Sequence, residues 1–274
     1  MTKTESSSLH TNEEKNSSKN VLVTRVIQVL SCFKEAQPDL GVTDIHTMTS
    51  LDKSVVHRIL ATLTNNGYLS QDPTTHRYRV GLQLWELGSR CHVVEELCNI
   101  VRPLLTAVVD RYEVSGYLGI LEGHEMVYVV SIPGTSPVRV YYDVGRRVPA
   151  WTTAFGKAIL ANLPAEELQQ LIAAVSSPAE RKHLNSPEFR RELKFVRSKG
   201  FSFNLTQDTP EVGSIGVPLI IDHGRIHAGI SLAYLLVRDK GDLAQRLAKE
   251  LDSITSLVEG RSGPVKGRQS WVPG

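Results

Sequence analysis

The 274-residue sequence has few cysteines, no long apolar run and almost no net charge, and each absence excludes a class of protein. Its three cysteines, Cys32, Cys91 and Cys98, form no CxxC pair, which argues against redox chemistry. No run of about 18 apolar residues and no signal peptide is present, so we expect a cytoplasmic protein with no membrane partner. The formal net charge is only +2, so affinity for nucleic acid would require a local patch of cations.

The usual signatures of catalysis are also missing. The sequence contains no GxSxG elbow, Walker loop, GxGxxG or HExxH motif, so we expect neither an enzyme nor a bound cofactor. His223 and His227 are four residues apart, but "DHGRIHAG" is typical of a turn that leads into a strand. The two side chains would not share a helix face there, and we predict no metal site.

The length of the chain suggests two folded domains rather than one. Residues 1–20 are rich in Ser, Asn and charge and carry almost no apolar side chains, which predicts a disordered tail. Residues 261–274 are basic and rich in Gly and Pro, which predicts a flexible tail. Between the tails we predict a first domain at 21–81, a linker helix at 82–97 and a second domain at 98–260.

The first domain is predicted to contain three helices followed by a β-hairpin. The first helix covers residues 21–33, and Thr43 is in position to cap the second. Asp52 is predicted to cap the third helix with its carboxylate, and Gly67 to end it. Two alternating segments then flank an Asp-Pro turn, which is typical of a hairpin with strands at 68–70 and 76–80.

One face of the third helix is apolar and the other is short, polar and cationic. A major groove about 12 Å wide admits one helix with such outward groups, and hairpin cations can reach phosphates or a neighbouring minor groove. The sequence therefore predicts a winged helix-turn-helix that binds double-stranded DNA. The predicted DNA-binding residues are Thr43, Lys53, Ser54, His57, Arg58, Thr62, His76, Arg77 and Arg79. The alternative is that the cations merely solvate a surface helix.

Three segments resemble, in order, the isocitrate lyase regulator (IclR) family of bacterial transcription regulators. They are "TDIHTMTSLDKSVVHRILATLTNNGYL", "VGRRVPAWTTAFGKAILANLP" and "VRSKGFSFNLTQDTPEVGSIGVPLIIDHGRIHAGISL". The resemblance covers roughly residues 21–260 and implies an α+β second domain, GAF-like, that binds a small effector on an antiparallel sheet. It also implies a homodimer or a tetramer built as a dimer of dimers.

Two residues near the predicted helix-turn-helix turn depart from the family pattern. His46 stands where relatives usually have a small residue, and Ser50 where they have Gly. A Ser at a positive-φ turn would cost on the order of 1 kcal/mol.

The linker carries an apolar stretch that includes Trp85, with Gly88 as a possible interruption. An exposed apolar helix usually has a partner, and in the family this region supports dimerisation. Alternatively, the linker packs back on its own domain.

The second domain alternates predicted strands with helices, which indicates an antiparallel sheet covered by helices. Helices are predicted at 96–112, 153–163, 165–175, 187–200 and 242–260. Strands are predicted at 114–123, 124–134, 138–145, 201–206, 212–221 and 225–234.

The resemblance implies an effector site under the GKA segment. The carried-over residues are Trp151, Thr152, Thr153, Ala154, Phe155, Asn204, Asp208, Ser214, Ile215 and Ser231. Small acids are the usual family ligands, and the start of the helix at 152–157 is a plausible anion site.

Two aromatic residues of this chain favour a particular effector. Trp151 and Phe155 would narrow the pocket and offer faces for stacking, which favours an aromatic carboxylate over glyoxylate or pyruvate. Alternatively, both rings belong to the core. Either Arg146 or Arg147 could hold the carboxylate. We predict a repressor that ligand releases from DNA, with an activator, or a binding module that has lost DNA affinity, as alternatives.

Overall fold

A computed structural model describes residues 21–33, 39–135, 141–205, 211–221, 226–238 and 242–261. The chain forms two compact units that divide between His92 and Val93. The predicted tail at 1–20 lies outside the described residues, as does the predicted tail at 261–274 except for Arg261, which ends the last helix. No helix within the described segments is long and apolar enough to cross a membrane.

The described part of the N-terminal unit folds into helices and a two-stranded hairpin, as predicted. Its elements are α1 (21–32), α2 (Val42–Thr49), α3 (Lys53–Asn65), β1 (Leu69–Gln71), β2 (Tyr78–Val80) and α4 (Leu82–Gly88). The apolar face of α3 is buried against Val29 of α1, Ile45 of α2 and Leu69 of β1. We call the segment Leu69–Val80 the wing. The unit is a winged helix-turn-helix.

The predicted helix caps are only partly right. Thr43 does not cap α2, because the helix begins one residue earlier and Gly41 holds the N-cap position. The Gly41 amide donates to the Asp44 carboxylate at 2.8 Å instead. Asp52 does hold the N-cap position of α3, but its side chain makes no capping hydrogen bond to the helix.

The turn between α2 and α3 has the backbone that the sequence predicts. Ser50 ends α2 with φ 57° and ψ 16°, in the left-handed region, and its amide donates to the His46 carbonyl at 2.8 Å. The His46 ring hydrogen-bonds the Leu51 carbonyl through Nδ1 at 2.7 Å. The two departures from the family pattern therefore stand at the turn itself.

The linker differs from the single predicted helix at 82–97. α4 ends at Gly88, and a second helix, α5 (His92–Tyr112), begins after a short break. The glycine that was a possible interruption is therefore the end of α4. α5 continues 15 residues past the predicted linker end, through Pro103, and belongs almost wholly to the second unit.

The second unit is an α+β domain around a six-stranded antiparallel sheet with strand order β5–β4–β3–β8–β7–β6. The strands are β3 (Ser115–Glu122), β4 (Glu125–Ile132), β5 (Arg147–Pro149), β6 (Ser202–Leu205), β7 (Val212–Ile221) and β8 (Ile226–Leu235). The helices after α5 are α6 (Ala154–Asn162), α7 (Ala165–Ala174), α8 (Pro178–Leu184), α9 (Pro187–Lys199) and α10 (Leu243–Arg261).

Each face of the sheet is covered by different helices. Leu105 of α5 and Leu251 of α10 pack with Ile215 and Ile230 on one face. Residues of α6 to α9 pack with Tyr117 and other side chains on the opposite face. This alternation follows from the period of two in a β-strand.

Two predicted elements of the second unit need correction. The predicted strand at 138–145 lies partly outside the described residues, and residues 141–145 form no strand. The edge strand β5 follows instead, where Val148 pairs with Met126. The helix α8 was not predicted, although Ser177 caps it and Pro178 begins it, which is a common start signal.

Replacing Ser50 with Gly should stabilise the N-terminal unit. A left-handed backbone costs Ser more free energy than it costs Gly. Gly loses more chain entropy on folding, so the net gain in the free energy of unfolding should be about 0.5–1 kcal/mol. Hydrogen exchange of the buried α3 amides in the full chain, at fixed protein concentration, measures this free energy. Ser50→Ala keeps a Cβ and is the control. An equal gain in both variants would contradict strain at this turn.

Candidate functional site

The start of α6 lies in a trough of glycines on the sheet. Gly119 of β3 pairs with Gly229 of β8, and Gly216 lies on the next strand, β7, where it pairs with Ser231. A Cβ on Gly119 would lie 2.4 Å from Phe155 Cε2, and one on Gly216 would lie 2.2 Å from the Phe155 nitrogen. The ring is only 1% exposed. Side chains at these three glycine positions would therefore push α6 away from the sheet.

Hydrogen bonds hold the loop that leads into α6. Thr153 caps the helix, because its Oγ1 accepts from the Gly156 amide at 3.1 Å. Asn204 of β6 donates from Nδ2 to the Thr152 carbonyl at 2.9 Å, and Ser202 donates to the Ala154 carbonyl. The loop is thus tied to strand β6 at two carbonyls.

A cavity of about 160 Å³ lies between this loop and the sheet. It is bounded by residues from β3, β4, β5, β6, β7 and β8, by the start of α6, and by the segment before β5. The lining residues are Tyr117, Tyr128, Tyr142, Arg146, Val148, Pro149, Thr152, Thr153, Ala154, Phe155, Asn204, Ser214, Ser231 and Ala233.

Four aromatic rings form one wall of the cavity. The Tyr128 ring meets Phe155 edge-on with centroids 5.2 Å apart, and meets Tyr117 edge-on at 5.5 Å. Tyr142 lies 4.9 Å from the Tyr128 centroid at a tilt of 33°. Such edge and tilted contacts are the favourable arrangements of aromatic pairs. The wall is therefore a packed unit in which each ring fixes its neighbour.

Both buried phenols of this wall are neutral at physiological pH. Burial raises the pKa of Tyr117 to about 12, although a hydrogen bond with Ser115 opposes the shift. Burial also raises the pKa of Tyr128, and the nearby phenols of Tyr142 and Tyr117 add to the effect. Each phenol therefore keeps its proton and can donate it in a hydrogen bond.

Arg146 supplies a cation to the cavity lining. Its guanidinium carbon lies 4.8 Å from the centroid of the Tyr142 ring, a cation–π arrangement. The neighbouring Arg147 instead pairs with Glu125, with Nη1 3.3 Å from Oε2. No lining residue of the described chain is a carboxylate. The sequence did not decide which of the two adjacent arginines could hold a carboxylate; Arg146 is the one that lines the cavity.

Most of the predicted effector residues come together at this cavity. Those that line it are Thr152, Thr153, Ala154, Phe155, Asn204, Ser214 and Ser231. Trp151 does not line it; its side chain is buried, and its ring stacks on the His124 ring with centroids 6.0 Å apart. Ile215 is fully buried on the opposite face of the sheet. Asp208 lies outside the described residues.

The sequence reasoning missed the three tyrosines. Tyr117 and Tyr128 alternate with inward residues of the other face along β3 and β4. Strand pairing places Tyr117 directly beside Ser231, a residue that was predicted for the site. If β3 and β8 had been predicted as neighbouring strands, this pairing would have placed Tyr117 on the same face of the sheet as Ser231. Tyr142 lies in no strand, so no strand pairing pointed to it.

The outward face of α3 is exposed and cationic. Lys53, Ser54, His57 and Arg58 are exposed, and in the stretch that the structure describes neither Lys53 nor Arg58 forms an ion pair. Thr62 is exposed too, but its hydroxyl donates to the Arg58 carbonyl at 2.9 Å. Thr43 is exposed in the first turn of α2.

The three predicted wing residues differ in exposure and in the contacts that they make within the protein. His76 is exposed, with φ 56° at the end of the turn. Arg79 lies 3.6 Å from Asp72, whose carboxylate also accepts from turn amides that lower its pKa. Arg77 is half-buried and directs its guanidinium towards α2. The wing therefore offers fewer free cations than its sequence suggests.

The raised pKa of Tyr117 predicts how the folded protein titrates. An exposed tyrosine ionises near pH 10, whereas Tyr117 should stay protonated until about pH 12. A raised folded-state pKa contributes stability that is complete below about pH 10 and is lost as pH rises through the folded value. Ultraviolet difference titrations of the native chain and Tyr117→Phe should coincide through pH 10. Divergence near pH 10 would show an accessible phenol.

Comparison with known proteins places the chain in a family. Residues 22–73 match the IclR helix-turn-helix domain, and residues 91–258 match the domain described as bacterial transcriptional regulator IclR C-terminal. The transcriptional regulator XynR of Escherichia coli (strain K12) is 32% identical over 230 residues, which cover 81% of this chain and 89% of XynR. The regulator KdgR of the same organism is 25% identical over 243 residues, which cover 88% and 92%.

Solved structures share the fold. An IclR regulator from Alicyclobacillus acidocaldarius has a TM-score of 0.73 at 23% identity and covers 88% of this chain and 98% of its own. An IclR homolog from Microbacterium hydrocarbonoxydans, complexed with 4-hydroxybenzoate, has a TM-score of 0.74 at 20% identity and covers 87% and 99%. With both family domains matched in order, the chain belongs to the IclR family of DNA-binding transcriptional regulators.

Proposed function

We propose that the chain is a repressor released from DNA by a carboxylate on a single aromatic ring. The effector binds in the cavity beside α6. The observation that carries this proposal is the joint presence of an aromatic wall, formed by Tyr117, Tyr128, Tyr142 and Phe155, and one cation, Arg146, in the same lining.

The size of the cavity supports a ligand with one ring. Its volume of about 160 Å³ is close to the roughly 150 Å³ of an engineered protein cavity that binds benzene. A very small acid would leave much of the aromatic wall without contacts.

The chemistry of the lining supports a carboxylate. A guanidinium binds a carboxylate through charge-assisted, often paired, hydrogen bonds, and Arg146 is placed to do so at the Tyr142 edge of the cavity. The neutral Tyr117 phenol and the Ser231 hydroxyl add polar groups deeper in the lining. The 4-hydroxybenzoate bound to a family member of the same fold is an analogy in the same direction.

The competing candidate is a small aliphatic acid such as glyoxylate or pyruvate. Thr152 and Thr153 at the start of α6 would suit either class, because hydroxyls and helix amides recognise the carboxylate alone. The aromatic wall distinguishes the two classes, since only a ring can stack on it.

The DNA contacts are proposed to come mainly from the outward face of α3. Lys53, Ser54, His57 and Arg58 lie there without competing intramolecular ion pairs among the described residues, and Thr62 extends the same surface. A helix with this face fits a major groove. Thr43, His76 and Arg79 are proposed phosphate contacts at the edges of the surface.

The working form is proposed to be a homodimer or a dimer of dimers. Leu82, Trp85 and Leu87 of α4 are 66%, 67% and 58% exposed, which is a large apolar surface on one short helix. A two-fold dimer also suits paired half-sites on DNA. The effector releases DNA only if it binds the state with low DNA affinity more tightly.

Thermal stability against a panel of acids tests the proposed effector class. Benzoate and 4-hydroxybenzoate should raise the melting temperature, and glyoxylate and pyruvate should not. A ligand at about 100 times its Kd stabilises by about 2.7 kcal/mol, which is readily measured. Arg146→Gln should abolish the shift, while the adjacent Arg147→Gln, whose partner is Glu125, should retain it. A shift with aliphatic acids alone would reject the aromatic proposal.

Replacing Arg58 with Ala should weaken operator binding by about 1–3 kcal/mol if Arg58 reads a base. The operator is the fragment that the full-length protein selects from a random DNA library, and fluorescence anisotropy measures its affinity. Arg90→Ala, which removes an exposed arginine after α4, is the control. Equal affinity of both variants would remove Arg58 from the contact surface. Failure of the native chain to select any sequence would favour a binding module without DNA affinity.

A further inference from the structure

We infer that Arg77 is a positioning residue that fixes the wing to the helix-turn-helix, and that it is not a contact to DNA. Its position in a basic hairpin predicts a phosphate contact, as the sequence suggests. The geometry around its guanidinium points to a different role.

The guanidinium of Arg77 is bound within the protein on two sides. Nε and Nη2 donate to the Asp39 carbonyl at 3.1 and 2.9 Å, and Nη2 also lies 2.7 Å from Asp44 Oδ2. Asp44 in turn accepts the Gly41 amide, the N-cap of α2. One side chain of the wing thereby joins the segment before α2 and the first turn of α2.

The backbone next to Arg77 continues the same junction. Leu40 and Tyr78 exchange two hydrogen bonds, with N–O distances of 2.9 and 2.8 Å, as an isolated antiparallel bridge. Strand β2 is therefore paired with β1 on one side and with Leu40 on the other. The Arg77 fork closes the end of this bridge and sets the angle at which the wing leaves the helices.

The charge of Arg77 is also compensated locally. The Asp44 carboxylate neutralises it at 2.7 Å, and the Arg77 side chain is 41% exposed; Arg79 keeps a looser 3.6 Å contact with Asp72, and its side chain is 53% exposed. A cation already paired in this way releases few counterions when DNA binds. Arg79 is thus the wing cation available for a phosphate, and Arg77 holds the wing where Arg79 can reach it.

Three variants separate positioning from contact. Arg77→Lys keeps the charge but cannot donate in the planar fork that joins Asp39 and Asp44, so operator affinity should fall about tenfold. Asp44→Asn removes an anion near the DNA surface, so electrostatics alone would raise affinity, yet positioning predicts a decrease. The double variant Arg77→Gln with Asp44→Asn should lose no more than Arg77→Gln alone, because both act on one junction.

The dependence of affinity on salt is a second measurement, and it counts phosphate contacts rather than the fraction of folded protein. The slope of log K against log salt falls by about 0.9 for each lost phosphate contact. Arg79→Gln should lower the slope by that amount. Adding Arg77→Gln to Arg79→Gln should lower it no further, because Arg77 itself contacts no phosphate. Hydrogen exchange in the same variants should become faster at the Tyr78 and Leu40 amides, while the buried α3 amides stay protected.

Two results would overturn the inference. Native affinity in Arg77→Lys together with tighter binding by Asp44→Asn would make Arg77 a charge that contacts DNA. A salt slope lower by about 0.9 in the double variant Arg77→Gln with Arg79→Gln than in Arg79→Gln alone would do the same. General loss of α3 protection in every Arg77 variant would show that the residue supports the fold as a whole.

Discussion

The packing of α6 on three glycines is the contact on which the effector domain depends. Gly119, Gly216 and Gly229 lie on adjacent strands, and the absence of their side chains lets Phe155 and its backbone reach the sheet. The start of the helix is therefore held against the strands that carry Tyr117 and Ser231. The cavity lies beside this contact, and Phe155 belongs to both.

The DNA-binding unit uses polar junctions for a similar purpose. Its core is small and apolar, but the angles between its parts are set by the Ser50 turn and by the contacts of Arg77 with Asp39 and Asp44. The cations that remain exposed on α3 then carry little structural role. In the proposed account, structural support and DNA recognition are divided between basic residues that look alike in the sequence.

Much of the fold could be predicted because local patterns and tertiary packing agree. The α3 face, the turn at Ser50 and the β3–β4 hairpin follow from periodicity and turn chemistry. The residues that line the cavity were harder to predict, because they depend on which strands are neighbours in the sheet. Trp151 and Ile215 lie beside lining residues in sequence but point elsewhere, while Tyr117 and Tyr128 come from strands far away in the chain. Arg77 shows the same limit, since its partners lie 33 and 38 residues earlier.

A crystal structure of the full chain grown with 4-hydroxybenzoate tests the central claim most directly, because it locates the ligand rather than an effect of it. The predicted result is a ring against Tyr128 and Phe155, with the carboxylate on Arg146 and no contact to Trp151. Density for the ligand outside this cavity, or a carboxylate bound by other groups while Arg146 stays on Tyr142, would contradict the assignment of the aromatic wall as the effector site.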